Sequence, residues 1–485
     1  MRPDRFLLLL AGWFLGLTPA WPQPQPPVQP PVPMALTGGT VIDVSNWGHS
    51  AADLHNAVVI IENGKITGVG AAGTVTIPNG ARIIDCTGKY LVPGFVDGFT
   101  GMSTQGQASA ALYMGVTTAV VRSDSLHGRV DFSLNPAPHL YPIDSVGTTD
   151  DFSRLIGQSD WTARLTQKGR PAELSPDDTI RQLSDTAHLG TRVVFLGHEV
   201  TAANTQAIVT HAHQLGMVAY GEFAATPYEV GIEAGVDALL HIGRYELGVT
   251  PDELQRPLTT DPDGSAASTA YDYAEHLPPT DLHVREYAKF IAAHNAALMP
   301  TFATYFQRLP GHRNLWFEPA ATLLDPSHMY DPPNRATGEM TYPLPSWERH
   351  LPSSAQRYME ANLQKKADQS AMRLWKLNQT LFMAFPHYLA ASGAPVTGSF
   401  SGISLHVELE MLVRLGLTPR EAIAAATNNY ALQFHWNELG LIAPGRRADI
   451  LVLDGDPTKN IWNARLISTL ILEGNIVDRA TLLKK

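Results

Sequence analysis

Two polar side chains stand where apolar, strand-like runs end, and they are the residues of this sequence best placed to do chemistry. Glu222 ends the run 217–222, and His241 ends the run 238–241. If these runs are neighbouring parallel strands, the carboxylate and the imidazole meet at one end of the sheet. Such a pair can act as a metal-free general acid and base. A plain buried ion pair is the interpretation that we favour.

The middle of the chain supplies the framework for these residues, because short apolar strands alternate there with helical stretches. This alternation is typical of parallel sheets built from β–α units. Eight such strands predict an α/β fold, a closed (β/α)8 barrel, in which chemistry takes place at the C-terminal strand ends. The eight predicted strands are residues 90–97, 116–122, 139–144, 192–196, 217–222, 238–241, 297–301 and 395–399.

Both ends of the chain differ from the middle. Short β-branched runs broken by turn residues follow residue 35 and return after residue 440, and Asn63-Gly64 is typical of a two-residue hairpin turn. The pattern predicts a small β-sandwich domain built from residues 35–90 and 440–485. The barrel then occupies residues 91–439.

Two long insertions interrupt the barrel pattern, at residues 248–284 and 305–355. The first is acidic and rich in turn residues. Loops of such length usually cover an active-site mouth. We predict that the second insertion covers the barrel mouth, because its large aromatic side chains would be unfavourable in water. They are Tyr305, Phe306, Trp316, Phe317, Tyr330, Tyr342 and Trp347.

The N-terminus predicts export. Two arginines precede an apolar run over residues 6–17, and small side chains suited to cleavage follow. The run is shorter than the roughly 20 residues that span a membrane. We therefore predict a cleavable signal peptide, residues 1–20, and a periplasmic or extracellular protein. An N-terminal membrane anchor is the alternative. Residues 21–34 are rich in proline and predict an extended linker.

Composition restricts the partners. The 485-residue chain has a formal net charge of −11 and no run of Lys and Arg that could follow a phosphate backbone, so we predict no nucleic-acid partner. Its single cysteine, Cys86, excludes an internal disulfide. Because Cys86 lies in a strand-like run, we expect a buried and inert thiol.

Five stretches carry motifs in a fixed order along the chain. They read NGKITGVG (63–70), DCTGKYLVPGFVD (85–97), EAGVDALLH (233–241), SLHVEL with GLTPREA (404–422), and GLIAPGRRADILVL (440–453). Together they resemble the amidohydrolase superfamily, specifically its imidazolonepropionase-like and exported prolidase-like members. The resemblance runs from about residue 35 to the C-terminus and implies a barrel beside a small β-sandwich.

The resemblance also implies a site for one or two divalent metals such as zinc. The superfamily has a His-x-His after strand 1, a carbamylated Lys or a Glu on strand 4, a His on each of strands 5 and 6, and an Asp on strand 8. Most of these positions are substituted in this chain, and only His241 is retained. In strand order the six positions hold Phe99, Gly101, Phe195, Glu222, His241 and Phe400.

This set of side chains is too small for the chemistry of the superfamily, in which metals activate a water and polarise a carbonyl. Glu222 and His241 alone cannot close a tetrahedral zinc shell. Phenylalanines that point inward would remove the water shell of a cation without replacing it. We therefore expect a degenerate site and no metal cofactor.

Three hypotheses for function follow. The leading one is a non-catalytic exported barrel, a pseudoenzyme, that binds a small molecule or a partner at its mouth. The alternative is an active hydrolase of C–N bonds, in cyclic amides or dipeptides, that uses Glu222 and His241 with a loop residue such as His387 or His312. The third is a subunit that assembles with paralogous amidohydrolases. A homo-oligomer stays open, and we expect no stable membrane span.

Overall fold

Two sheets organise the described part of the chain in the computed structural model. One contains parallel strands from the middle of the sequence, and the other combines strands from both ends. The predicted signal peptide and nearly all of the predicted linker lie outside the described residues. The structure describes residues 32–122, 136–146, 174–260, 265–278, 280–329, 331–340, 352–384 and 386–484.

The regular elements follow one another in the order that β–α units require. The strands are β1 (Met34–Val41), β2 (Leu54–Glu62), β3 (Lys65–Ala71), β4 (Arg82–Asp85), β5 (Tyr90–Pro93), β6 (Phe95–Thr100), β7 (Val116–Arg122), β8 (His139–Ser145), β9 (Val193–Leu196), β10 (Val218–Gly221), β11 (Ala238–Leu240), β12 (Ala297–Met299), β13 (Ile450–Leu453), β14 (Ile467–Leu472) and β15 (Asn475–Val477). The helices are α1 (Gln105–Tyr113), α2 (Pro176–His188), α3 (Ala202–Gln214), α4 (Tyr228–Glu233), α5 (Asp252–Gln255), α6 (Ser265–His276), α7 (Leu282–Ala293), α8 (Ser353–Phe382), α9 (Ile403–Leu415), α10 (Pro419–Ala425), α11 (Asn428–Gln433) and α12 (Arg479–Leu482).

The strands β6 to β12 form the barrel, pairing in chain order and all in parallel. Alternate side chains of these strands point inward and form one buried apolar cluster, so the barrel is filled and is not a pore. Phe195 belongs to this cluster, and Phe99 packs against it.

The eighth strand lies earlier than the sequence predicted. Residues 395–399 form turns, whereas Tyr388 makes a parallel bridge to Leu298 of β12. On the other side, the Gly98 amide of β6 donates to the Ala390 carbonyl at 3.3 Å. The barrel is therefore closed by an extended segment over residues 387–391. The prediction of a strand over residues 395–399 was wrong, because Thr397 and Gly398 have positive φ angles, which a strand does not allow.

The predicted first barrel strand, residues 90–97, is divided at Gly94. β5 joins the second sheet beside β1 and β13, and β6 begins the barrel. A side chain at position 94 would place its Cβ 2.1 Å from the Thr117 hydroxyl oxygen, so only glycine allows the two sheets to approach here.

The second sheet is built from both ends of the chain, with the order β15-β14-β13-β5-β1-β2-β3 and β4 beside β1. Asn63 and Gly64 join β2 to β3 with positive φ at both residues, as a type I′ hairpin turn requires. The predicted fold class, an α/β barrel with a small β-domain from the N- and C-terminal segments, is therefore confirmed.

The described part of the second insertion contacts loops at the barrel mouth. Trp316 packs edge-to-face on Phe400, with ring centroids 4.6 Å apart, and the Leu323 carbonyl lies against Gly106 at the start of α1. Phe317, by contrast, is 79% exposed. Tyr330, Tyr342 and Trp347 lie outside the described residues.

The first insertion is more helical than its turn-rich sequence suggested, because α5 and α6 lie within it. In the part of the chain that the structure describes, no helix combines the length and the apolar character that crossing a bilayer demands.

Candidate functional site

Aromatic rings occupy the inner end of the barrel mouth. Phe99 of β6 lies with its ring centroid 5.7 Å from that of Phe195, which is on β9, and 5.3 Å from that of His241. Phe195 is buried, and the His241 imidazole meets Phe99 edge-to-face. Two positions at which the superfamily resemblance implied metal ligands are thus in mutual contact as apolar rings.

Glu222 follows β10 directly and forms an ion pair with a partner that the sequence did not predict. One of its carboxylate oxygens lies 3.1 Å from Nε of Arg244, and the other lies 3.7 Å from Nδ1 of His198. Burial alone would raise the pKa of the Glu222 carboxyl, but Arg244 and His198 hold that pKa below its usual range. Glu222 therefore carries a negative charge that Arg244 compensates, and its lowered pKa makes it a weak base.

Arg244 lies three residues after His241, in the turn that follows β11. It donates a hydrogen bond to the Tyr271 hydroxyl from α6, and its guanidinium carbon lies 5.3 Å from the centroid of the Tyr271 ring. Burial would lower the pKa of the guanidinium, but Glu222 and Tyr271 raise it. The mouth therefore contains a permanent cation supplied by the protein.

His241 is held by Thr301, which follows β12. Nδ1 of His241 lies 2.7 Å from the Thr301 hydroxyl, and that hydroxyl donates to the Pro300 carbonyl at 2.6 Å. Because the hydroxyl proton is used there, Nδ1 of His241 is the donor and Nε2 is left as an acceptor. Burial, together with Arg244, lowers the pKa of His241, so the imidazole is neutral at pH 7.

Sequence reasoning missed Arg244, His198 and Tyr271. It expected Glu222 and His241 to be paired, and both stand at adjacent strand ends, but the ion pair of Glu222 is with Arg244. Arg244 stands three residues after His241 in the sequence, and this short separation is the signal that could have identified it. Tyr271 lies in the first insertion, and no motif in that insertion indicates which of its side chains reach the barrel mouth.

The remaining two substituted positions contribute no ligand. The Gly101 amide donates to the Ala394 carbonyl at 2.6 Å, and a Cβ at position 101 would lie 2.9 Å from Cδ of Pro395. Placing Phe400 at a strand end was wrong, because the closing segment ends near residue 391 and Phe400 instead precedes α9 and packs on Trp316. Ser392 follows the closing segment, and its amide donates to Asp97 at 2.8 Å.

The described residues do not fit the divalent metal centre that the resemblance implied. Nowhere in the described ranges do three His, Cys, Asp or Glu side chains group so that they could hold a metal ion. Arg244 already neutralises Glu222, so a second cation would be repelled rather than bound. Phe99 and Phe195 offer no donor atoms to replace the water of an incoming ion.

The two loop histidines considered for an atypical site have contacts of their own. His387 begins the closing segment, at the end opposite to the mouth, and stacks on Trp47 with ring centroids 3.6 Å apart. His312 lies beyond β12, where Nδ1 is 3.1 Å from the Leu309 carbonyl. Cys86 is buried, as expected, and burial raises the pKa of its thiol to about 11.

Sequence comparison points to one family. Residues 266–477 match the model of the amidohydrolase family. A segment of 68 residues is 47% identical to adenine deaminase 2 of Rhizobium johnstonii and covers 14% of this chain and 10% of that protein. The chain thus matches about a tenth of the length of this curated relative.

Solved structures share the fold over nearly the whole chain. A Xaa-Pro dipeptidase with methionine bound in its active site has a TM-score of 0.60, 14% identity, and coverage of 92% of this chain and 100% of that one. Molinate hydrolase has a TM-score of 0.61, 17% identity, and coverage of 93% and 96%. A putative prolidase from Bifidobacterium longum has a TM-score of 0.57, 17% identity, and coverage of 93% and 98%. Identities this low establish the common fold alone.

Proposed function

We propose that this chain is a non-catalytic member of the amidohydrolase superfamily, an exported barrel that binds a small molecule at its mouth. In this proposal the chain keeps the fold of its relatives without their metal-dependent chemistry. The substituted positions at the mouth then serve recognition rather than hydrolysis.

The ion pair between Glu222 and Arg244 carries the proposal. Hydrolysis in this superfamily needs a metal-activated water and a polarised carbonyl. Here a guanidinium lies 3.1 Å from Glu222, the carboxylate at the predicted strand-5 ligand position, and aromatic rings occupy two of the other predicted positions. A fixed cation with a neutral imidazole nearby can bind polar or anionic groups of a ligand without transforming them.

Metal analysis tests this proposal. Protein purified with added zinc or manganese is measured for bound metal, beside the variants Glu222→Gln and His241→Ala. We expect substoichiometric metal that is the same in all three proteins. Stoichiometric metal in the wild type that is lost in either variant would show a metal centre at the mouth and refute the proposal.

A second candidate is a hydrolase of C–N bonds with an atypical site. The observation that favours it is the orientation of His241, whose Nδ1 is held by Thr301 so that Nε2 can accept a proton. Cyclic amides and dipeptides are assayed with the wild type and with His241→Ala. Hydrolysis that disappears in the variant supports the hydrolase, whereas the binding proposal expects no hydrolysis by either protein.

Export and assembly belong to the same proposal. Mass spectrometry of the N-terminus of protein recovered from the periplasm or the medium is expected to show cleavage near residue 20. The third hypothesis, a subunit that assembles with paralogous amidohydrolases, is tested by co-purification from the native source. Recovery of the chain alone and as a monomer counts against both a mixed assembly and a homo-oligomer.

A further inference from the structure

A groove between helices α7 and α8 lies outside the site at the barrel mouth, where these two helices pack against each other. Its cavity measures about 620 Å³, which is within the range of small-molecule sites in proteins. Ala288, only 2% exposed, lies at its base, and Ala384 also lines it. Because these two side chains are small, the groove has room for a small molecule.

The side chains that line the groove come from one face of each helix. On both helices they recur at intervals of three or four residues, which places them beside one another on the helix surface. They are Arg285, Ala288 and Lys289 on α7, and Lys376, Gln379, Thr380 and Met383 on and directly after the C-terminal end of α8. The two faces form the two walls of the groove.

The packing of the helices brings Arg285 and Lys376 to nearly the same level. α7 leads into β12 and α8 leads into the closing segment, and these two strands are joined by the parallel bridge of Leu298 to Tyr388. Arg285 precedes Leu298 by thirteen residues, and Lys376 precedes Tyr388 by twelve. Helices that precede neighbouring barrel strands run in the same direction, so the two cations face each other across the groove. Lys289 lies one turn further, about 6 Å along α7.

The groove combines three cations with no acidic side chain among the described residues that line it. Arg285, Lys289 and Lys376 are exposed, and none of them forms an ion pair within the described ranges. Asp281 caps the start of α7 and Glu286 lies on another face of that helix, so neither lines the groove. Cations that share a groove without a counter-ion repel one another and attract anions, although the whole chain has a net charge of −11.

Neutral groups complete the walls of the groove. Gln379 and Thr380 lie one turn after Lys376, and Thr280 precedes α7. Their amide and hydroxyl groups can donate hydrogen bonds to oxyanions without adding charge. Met383 is 70% exposed and gives one end of the groove an apolar surface. The groove therefore offers contacts for the charged groups and for the carbon skeleton of an organic anion.

We propose that this groove binds a small organic polyanion, a molecule with two or three oxyanion groups on a short carbon skeleton. Arg285 and Lys289 bind oxyanion groups on one wall, and Lys376 binds another group from the opposite wall. Gln379 and Thr380 donate to the same oxygens. Carboxylates and phosphates share this chemistry. The groove has no residue in common with the site at the mouth, so the proposal holds whether or not the mouth catalyses a reaction.

The test uses tricarballylate, which has three carboxylates, and two comparison compounds. Glutarate has two carboxylates and butyrate has one. Binding to the purified protein is measured by titration calorimetry at low salt. We expect one molecule of tricarballylate per chain, and an affinity that rises about fivefold with each added carboxylate, because each forms one more ion pair at an exposed site.

Fructose 1,6-bisphosphate tests the phosphate form of the same chemistry. Tighter binding of this compound than of tricarballylate assigns the groove to organic phosphates, and the reverse assigns it to polycarboxylates. Both results support a polyanion site. Raising sodium chloride from about 0.02 M to about 0.3 M should weaken the binding of either compound, because salt screens exposed charges.

Variants assign the binding to the groove. Lys289→Glu reverses one charge at an exposed position, so we expect it to abolish binding in a protein whose circular dichroism is unchanged. Lys376→Gln should weaken tricarballylate binding about fivefold, whereas Lys376→Arg should retain it. Lys366→Gln removes an exposed charge from the same helix outside the groove, and it should leave binding unaltered.

Three results would overturn the proposal. They are no binding of any polyanion, equal binding of tricarballylate and butyrate, or equal binding to the wild type and to Lys289→Glu. Binding that is lost in His241→Ala but kept in Lys289→Glu places the ligand at the mouth and also refutes the groove. Vesicles of phosphatidylglycerol are tested as well. If they bind through Lys289 while no small polyanion does, the groove is a membrane contact and the proposal is wrong.

Discussion

At the scale of residues, the main feature of the mouth is the ion pair between Arg244 and Glu222. In the superfamily that the sequence resembles, divalent metals supply positive charge beside the strand ends. Here Arg244 supplies it, with Glu222 as its counter-ion and Tyr271 as its support. The charge is fixed on a side chain and cannot bind and ionise a water as a metal does.

Arg244→Met should destabilise the protein by about 3 kcal/mol, because removing one partner of a buried ion pair leaves the other charge uncompensated. Glu222 is 10% exposed at its side chain and Arg244 is 29% exposed, so water can stabilise the remaining carboxylate only partly. The measurement is unfolding by denaturant.

The double variant Arg244→Met/Glu222→Gln is expected to recover most of that loss, since no charge is left unpaired. Arg181→Met removes a partner from the exposed pair with Asp178 and serves as the control, with an expected effect below about 1 kcal/mol. Equal losses in the single and double variants would contradict the coupling between Glu222 and Arg244.

A second residue-scale prediction concerns pH. The hydrogen bond to Asp237, at 3.0 Å, raises the pKa of His213 above its usual value. The pairing of His213 with Asp237 therefore stabilises the folded protein fully below the pKa of histidine in the unfolded chain, about 6.5. This stabilisation is lost as pH rises through the higher pKa of His213 in the folded protein. His213 is 42% exposed, so the effect should be below about 1 kcal/mol.

Comparing His213→Gln with the wild type by denaturant unfolding at pH 5.5 and pH 8.5 measures this contribution. The variant should be the less stable protein at pH 5.5, and the difference should diminish at pH 8.5. His211→Gln is the matched control on the same helix, because the ring of His211 contacts the neutral side chains of Ser184 and Gln214. A difference that grows toward pH 8.5 would contradict the assigned sign.

At the scale of elements, glycines permit the close packing of the barrel strands. A Cβ at Gly221, the last residue of β10, would lie 2.0 Å from the Leu196 carbonyl oxygen of β9. Gly221 immediately precedes Glu222, so the approach of these two strands also positions the ion pair with Arg244. A backbone atom cannot move aside as the end of a flexible side chain can.

Gly221→Ala should therefore destabilise the protein by about 2 kcal/mol or more, the cost of overpacking. Gly197→Ala is the matched control, because its nearest neighbours would lie 3.9 and 4.0 Å from the new Cβ. Both variants are compared by thermal unfolding. Equal melting temperatures for the two variants would show that β9 and β10 can move apart without a loss of stability and would contradict this prediction.

At the scale of the whole molecule, the barrel holds the second sheet together. Strands β1 to β5 and β13 to β15 come from opposite ends of the sequence, so this sheet forms only when the intervening chain has brought them near. Arg447 connects the second sheet to the barrel. It forms an ion pair with Asp449 at 2.5 Å and donates a hydrogen bond to the hydroxyl of Thr118, on β7, at 2.6 Å.

Thermal unfolding should therefore be a single cooperative transition, observed at one temperature by near- and far-ultraviolet circular dichroism. Arg447→Met should lower that temperature without dividing the transition, because it weakens a contact between barrel and sheet while leaving the connection of the chain intact. Two separate transitions in either protein would show that the sheet is stable without the barrel.

The sequence alone determined the alternating barrel and the second sheet from both ends, because strand periodicity is a local property of a chain. The substitution of most ligand positions stays a prediction from the resemblance. The sequence did not locate the closing segment 387–391, whose strand character comes from hydrogen bonds to Leu298 and Gly98 rather than from β-branched residues. Tertiary structure alone decided that Arg244 and His198 are the partners of Glu222. These contacts depend on where separate loops bring their side chains, and no pattern along the chain encodes those distances.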